Sequence, residues 1–158
     1  MDEEFLKQAI EESKVNGKND FKDGGPFGAV IVKEGKIVGK GHNTVISSKD
    51  PSAHAEINAI RDAATNLGTH DLSDCILYVN AEPCPMCLSA IIWANIKEVY
   101  FANTAKEAGK IGFRDDFIYE YLKSERKDKD VLEIHHIESK EAKKVFEDFE
   151  KNPHKVMY

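Results

Sequence analysis

Cysteine is scarce in this sequence, with three residues among 158, and three thiols cannot build the multi-bridge framework that holds small secreted domains together. Long apolar runs are missing as well: no stretch approaches the ~20 consecutive apolar residues that a membrane-spanning helix needs. Positive charge is in deficit. Lys and Arg number 22 against 28 Asp and Glu, a formal net charge of −6, and without a concentrated basic patch such a surface repels phosphate backbones. The start, Met1-Asp2-Glu3-Glu4-Phe5, is acidic and lacks the basic-then-apolar layout of a secretory signal. There is no internal repeat and no low-complexity segment. These absences argue against a disulfide scaffold, a helical membrane protein and a nucleic-acid binder. The expectation they leave is a cytoplasmic protein with one domain over 1–158: 41% hydrophobic and 32% charged residues suit a globular chain with a proper core.

Against that background two stretches stand out, His54-Ala55-Glu56 and Pro83-Cys84-Pro85-Met86-Cys87. Cys84 and Cys87 are three apart, so a helix starting between them turns both sulfurs to the same side of its first turn. Pro85 suits the first helical position, where a missing N–H costs nothing. A helix start also favours negative charge and so promotes thiolates. Imidazole and thiolate are zinc donors, and His54 supplies the third ligand. Glu56, two residues on, can lean over the metal without binding it. Three protein ligands leave a fourth position for water, which marks catalytic rather than structural zinc. Read alone, Cys84-Pro85-Met86-Cys87 could be a redox pair, but the upstream His-x-Glu and the lack of a βαβ opening argue against that.

Periodicity predicts an amphipathic helix over 2–16, stopped by Gly17. Asp23-Gly24-Gly25-Pro26 reads as a turn into a strand over 27–32, and Glu34-Gly35 as a hairpin turn into a second strand over 36–43. A polar loop over 47–52 leads to a helix over 53–67, with Ile57, Ile60, Ala64 and Leu67 as its buried stripe and Gly68 as its stop. The apolar run 75–79 reads as a strand covered on both faces. A helix from the Pro83–Cys87 turn to about residue 95 and a strand over 98–102 follow. The order β–β–α–β–α–β places a mixed sheet between helices, with the motif residues at two helix N-termini after strand ends, where open α/β sheets bind ligands. Further on, 115–119 begins a short helix, 124–130 is a solvated charge run, 131–137 is a last strand, and 139–151 is a helix followed by a short tail.

His54-x-Glu56 with Pro83-Cys84-x-x-Cys87 is the zinc deaminase signature, and the chain resembles the cytidine deaminase-like superfamily. Gly25-Pro26-Phe27-Gly28-Ala29-Val30, Asn43, Asp50-Pro51-Ser52-Ala53-His54-Ala55-Glu56 and Gly112-Phe113-Arg114-Asp115-Asp116-Phe117-Ile118-Tyr119 narrow the likeness to the small bacterial guanine deaminases. The resemblance implies a three-layer α/β/α sandwich with a central mixed sheet and one zinc per chain. It also implies a homodimer that exchanges the segment 139–158, so that Tyr158 reaches the partner's site. One position departs from the pattern: Arg114 stands where those enzymes tend to carry another acid. Asp115 aligns with the family's second catalytic carboxylate, and Asp116 is the alternative.

The chemistry so implied is hydrolysis of guanine to xanthine and ammonia. Zinc, held by His54, Cys84 and Cys87, brings the pKa of a bound water from 15.7 toward ~7. Glu56 moves its proton to the purine ring nitrogen, and Asp115 assists the later transfer to the departing amine. Asn43 could hydrogen-bond the purine edge or merely cap a turn. Phe27 and Trp93 could stack on the base or belong to the core, and the Ala55 backbone is a substrate contact by resemblance only. Cys75 reads as inert core; His70, His135, His136 and His154 have no partner at ligand spacing. The rival functions are deamination of cytosine, guanosine or a tRNA adenosine, the last disfavoured by the negative charge, and a non-catalytic zinc-stabilised binding module with a fourth protein ligand.

Overall fold

The computed structural model describes residues 2–158, so Met1 of the expected 1–158 domain lies outside the described residues. The chain divides into two compact units, one ending at Asp116 and the other spanning Phe117–Tyr158.

The first unit is built on a four-stranded mixed sheet in the order β2-β1-β3-β4. Its strands are β1 (Gly28–Lys33), β2 (Lys36–His42), β3 (Ile76–Ala81) and β4 (Glu98–Asn103). β1 pairs antiparallel with both β2 and β3, and β3 pairs parallel with β4. The β1–β2 hairpin turns at Glu34 and Gly35, both left-handed at φ 50° and 72°; two successive positive φ values match the strand twist. A parallel pair needs a crossover, and α4 (Pro85–Trp93) supplies it between β3 and β4.

Helices cover both faces. α1 (Glu3–Ser13) is started by Asp2, whose side chain accepts from the Glu4 N–H, and it lays Phe5, Leu6 and Ala9 against Val30, Val32 and Tyr78. On the opposite face α3 (Ala55–Leu67) and α4 enclose Ala29, Ile31, Leu77, Val79 and Ile91. β1 is buried along Gly28–Val32 because both of its faces meet helices, which is why its sequence is an unbroken apolar run rather than an alternation. This is the α/β/α sandwich with a central mixed sheet that the sequence predicts.

Several details differ from expectation. The first helix ends at Ser13 instead of residue 16, and a short 3-10 turn, Asn16–Asn19, follows; the Asn16 side chain is drawn into the core to bond carbonyls of Gly25 and Asn43. The polar loop over 47–52 contains part of a one-turn helix, α2 (Val45–Ser48). The fully buried residues of α3 are Ala55, Glu56, Ala59 and Ala63; of the expected stripe, Ile60 and Leu67 pack half-buried against the same core, and Ile57 and Ala64 are half-buried. β2 contains Gly39 and Gly41, where a Cβ would strike Ala59 O and Ala63 at 2.6 Å, or the Ala55 carbonyl; bare strand backbone selects the small face of the helix. α5 (Ala105–Lys110) was not anticipated, although its Thr104–Glu107 capping box is present in the sequence.

In the second unit, α6 (Asp116–Lys123, its first residue belonging to the preceding unit) is followed by the exposed run 124–130 and by α7 (Lys140–Lys151), capped by Ser139. The strand expected over 131–137 does not form. Apolar alternation alone cannot make a strand, which needs a ladder partner; among the described residues this stretch has none, and it is tethered by a hydrogen bond from the Tyr121 hydroxyl to the Leu132 carbonyl at 3.1 Å.

Candidate active site

The residues expected to ligate a metal stand at two helix starts. His54 is the N-cap of α3 and Cys84 the N-cap of α4; both have extended backbones, and neither side chain caps its own helix. Pro85 occupies the first turn of α4, as expected. Gly39 and Gly41 let α3 lie close on the sheet, which sets the depth of His54, and the β3–α4 connection sets Cys84. The result is that His54 Nδ1 lies 3.6 Å from Cys84 Sγ and 3.5 Å from Cys87 Sγ. A tetrahedral ion with bonds of about 2.0–2.1 Å to nitrogen and 2.3 Å to sulfur separates those atoms by roughly 3.5 Å. The donor set and its spacing fit zinc, and the three ligand atoms lie within 4.8 Å of one another. No fourth His, Cys, Asp or Glu joins the group among the described residues, which removes the support for a closed, purely structural zinc site.

The charges suit the same purpose. Cys84 is pulled down to about 4, chiefly by the side-chain hydrogen bond with Cys87 and then, against burial, by His54. Cys87 is pushed up, because the neighbouring sulfur already holds the charge and because it is buried. His54 is raised by its bond with Cys84. The positive ends of two helix dipoles favour anionic ligands here. Glu56, buried in the first turn of α3, is pushed up to about 7, mainly by burial; a carboxyl that exchanges its proton near neutrality is suited to general acid–base work.

Asn43 is buried, and its Oδ1 accepts from the N–H groups of Gly25 at 3.3 Å and Val45 at 3.2 Å. The oxygen therefore caps the turn, while the amide nitrogen makes no hydrogen bond among the described residues and remains a donor. Phe27 leans on the core cluster and meets Phe113 edge to face, with centroids 4.9 Å apart. Asp115 and Asp116 line an open groove of about 480 Å³ with Lys106, Lys110 and Arg114. Arg114 holds Asp116 through two nitrogens, at 3.1 and 2.6 Å. Asp115 is raised by burial and then by the charge of Cys84.

Other expected residues stand elsewhere. Ala55 is the fully buried first residue of α3, among the first-turn N–H groups that lack helical acceptors. Trp93 ends α4, nine residues after Cys84 and so ~13 Å along the helix, and is 66% exposed. Tyr158 belongs to the second unit and is exposed. Three residues that sequence reasoning missed hold the surroundings. Asn80 accepts from Gly28 N–H and donates to the Pro26 carbonyl, both at 2.9 Å. Glu82 accepts from Ala105 N–H at 2.8 Å, tying the strand before Cys84 to α5. Asn16 is described above. Nothing in a lone Asn or Glu reveals a partner distant in sequence.

The family model for the cytidine and deoxycytidylate deaminase zinc-binding region matches residues 1–103. A guanine deaminase of Bacillus subtilis is 52% identical over 120 residues, 76% of each chain. The X-ray structure of guanine deaminase from Bacillus subtilis superposes with a TM-score of 0.90 at 41% identity, covering 100% of this chain and 99% of that one. A structure from work on tRNA:A34 deaminases matches with a TM-score of 0.61 at 36% identity, over 65% of this chain and 76% of that one. With its zinc-binding residues in place and the likeness extending through the fold, this chain belongs to the cytidine and deoxycytidylate deaminase family of zinc-dependent hydrolases that act on C–N bonds.

Proposed function

We propose that the chain hydrolyses guanine to xanthine and ammonia. One observation carries the choice of substrate within the family: the likeness to the guanine deaminase structure spans the whole chain, whereas the likeness to the tRNA:A34 deaminase structure covers 65% of it. The net charge of −6 points the same way, away from an RNA substrate.

His54, Cys84 and Cys87 would hold the zinc, which when bound would supply an acidified water, its pKa lowered from 15.7 toward ~7. Glu56, buried in the first turn of α3, is placed to carry a proton to the purine ring nitrogen beside the amine-bearing carbon. Asn43 donates its amide N–H to the purine edge, with its carbonyl oxygen already committed to the turn. Phe27 covers one face of the base, and Ala55 offers its backbone. Asp115 passes the second proton of the attacking water to the amine, the C–N bond breaks and ammonia departs; water supplies the oxygen that remains on the base. Tyr158 enters through a second copy: a homodimer in which 139–158 is exchanged would let it close the neighbouring site. That reading is supported by the outward apolar residues Val145, Phe146, Val156 and Met157, which are 65–80% exposed. The enzyme would serve purine metabolism in the cytoplasm. Among the described residues no helix is long and apolar enough to cross a membrane.

Ammonia release from guanine, guanosine, cytosine, adenine and a tRNA anticodon stem tests the reading. Turnover of guanine in preference to the others is expected, and release from cytosine or the tRNA stem without release from guanine would overturn it.

A further inference from the structure

The segment that carries Phe27 is held by asparagine side chains, and one of them takes no part in the chemistry above. Asn16 is wholly buried. Its Nδ2 donates to the Gly25 carbonyl at 2.9 Å and to the Asn43 carbonyl at 2.7 Å, so both amide hydrogens are spent. Its Oδ1 is buried with no partner among the described residues, which leaves the two donated bonds as the reason for an amide at this position. A carboxylate of the same size would turn lone pairs toward two carbonyls, and an apolar residue would leave the Asn43 carbonyl unpaired and the Gly25 carbonyl with the Phe27 N–H alone.

Those two carbonyls belong to the residues that fix Asn43. The Asn43 backbone N–H donates to the Phe27 carbonyl at 3.1 Å, its carbonyl is taken by Asn16, and its Oδ1 is taken by Gly25 and Val45. Gly24 closes the remaining side, since a Cβ there would collide with the Asn43 side chain and carbonyl. Every polar group of Asn43 except the amide nitrogen is thus engaged, and Asn16 bonds both strands of the turn at once.

We propose that Asn16 is a positioning residue for substrate recognition: by donating to Gly25 and Asn43 it keeps the Asn43 amide nitrogen aimed at the purine edge and thereby sets the affinity for guanine. The inference rests on the reading of Asn43 as a substrate donor. In the zinc-loaded full-length protein, Asn16→Ala and Asn16→Asp should keep the wild-type zinc content, raise KM for guanine about tenfold or more, and leave kcat within about threefold, the pattern of lost binding rather than lost chemistry. Combined with Asn43→Ala, Asn16→Ala should add less than about twofold, because both changes remove the same contact. Val32→Ala, in the core on the α1 face of the sheet, provides a melting-temperature loss that should not move KM. Asn16→Ser, which keeps one donor, should fall between wild type and Asn16→Ala, and it carries the comparison if Asn16→Asp does not fold. An unchanged KM in Asn16→Ala beside a raised KM in Asn43→Ala would overturn the role of Asn16 alone, as would full additivity. An unchanged KM in Asn43→Ala would instead overturn the assignment of Asn43, and the inference with it.

Discussion

Arg114 grips Asp116, not Asp115: two guanidinium nitrogens meet the Asp116 carboxylate, and its neighbour is left to feel the charge of Cys84. Both partners of the pair are largely exposed, so solvent screening leaves the ion pair little weight in stability. Its effect is to assign the two adjacent acids different surroundings. Asp115→Asn is therefore expected to lower kcat by roughly 10²–10⁴, and Asp116→Asn to stay within about threefold. Steady-state rates of the two variants with guanine decide this, and the reverse ranking would make Asp116 the second acid.

Glu56→Gln removes the proton carrier and keeps the shape. Zinc content should be retained while kcat falls by about 10²–10⁴; metal analysis beside the rate measurement separates this from loss of the ion. A variant near full activity would eliminate Glu56 as the base.

Zinc uptake should release protons in a recognisable ratio. In the metal-free protein Cys84 is held down to about 4 and is already a thiolate near neutrality, whereas Cys87, pushed up, still carries its proton. Ligation requires deprotonated donors, so above the titration of His54 about one proton should leave per zinc, and affinity should weaken about tenfold for each unit of falling pH. Calorimetry in buffers of different ionisation enthalpy gives the count. A count near two in that range would show that Cys84 is not depressed.

Gly41→Ala places a methyl group against the Ala55 carbonyl. Overpacking of this kind costs about 1–3 kcal/mol, and because α3 must shift, zinc affinity should weaken along with the melting temperature. Gly35→Ala meets nothing within 4 Å but has φ +72°, so it should cost stability and leave zinc binding unaltered. Equal metal affinity in the two variants would show that the packing of α3 does not set the position of His54.

The metal-ligand pattern was readable because its members are close in sequence and chemically unusual: Cys84 and Cys87 share one helical turn, and His54 and Glu56 share another. The mixed sheet was readable from β-branched runs and from Glu34-Gly35. What stayed hidden depends on partners distant in sequence. The inward face of α3 was legible only in part: Ile60 and Leu67 do pack on the core, but the deepest positions are alanines, because Gly39 and Gly41 on β2 bring bare backbone against Ala59 and Ala63. The stretch 131–137 was misread because apolar alternation cannot report the absence of a pairing strand. Asn16, Asn80 and Glu82 gave no sign, since a polar residue aimed inward looks like one aimed outward.

His54 and Cys84 sit where a serine or aspartate would normally finish a helix, and neither bonds its own helix. Two helix starts have thus given up their usual capping side chains, a concession of about 0.5–2 kcal/mol apiece. An ion held by these residues would therefore do architectural work as well as chemistry, completing the first turns of α3 and α4 when loaded. Chelation should loosen those turns before any other part of the sheet and its helices, and amide hydrogen exchange in the first turn of α3 would register metal loss even where no substrate is present.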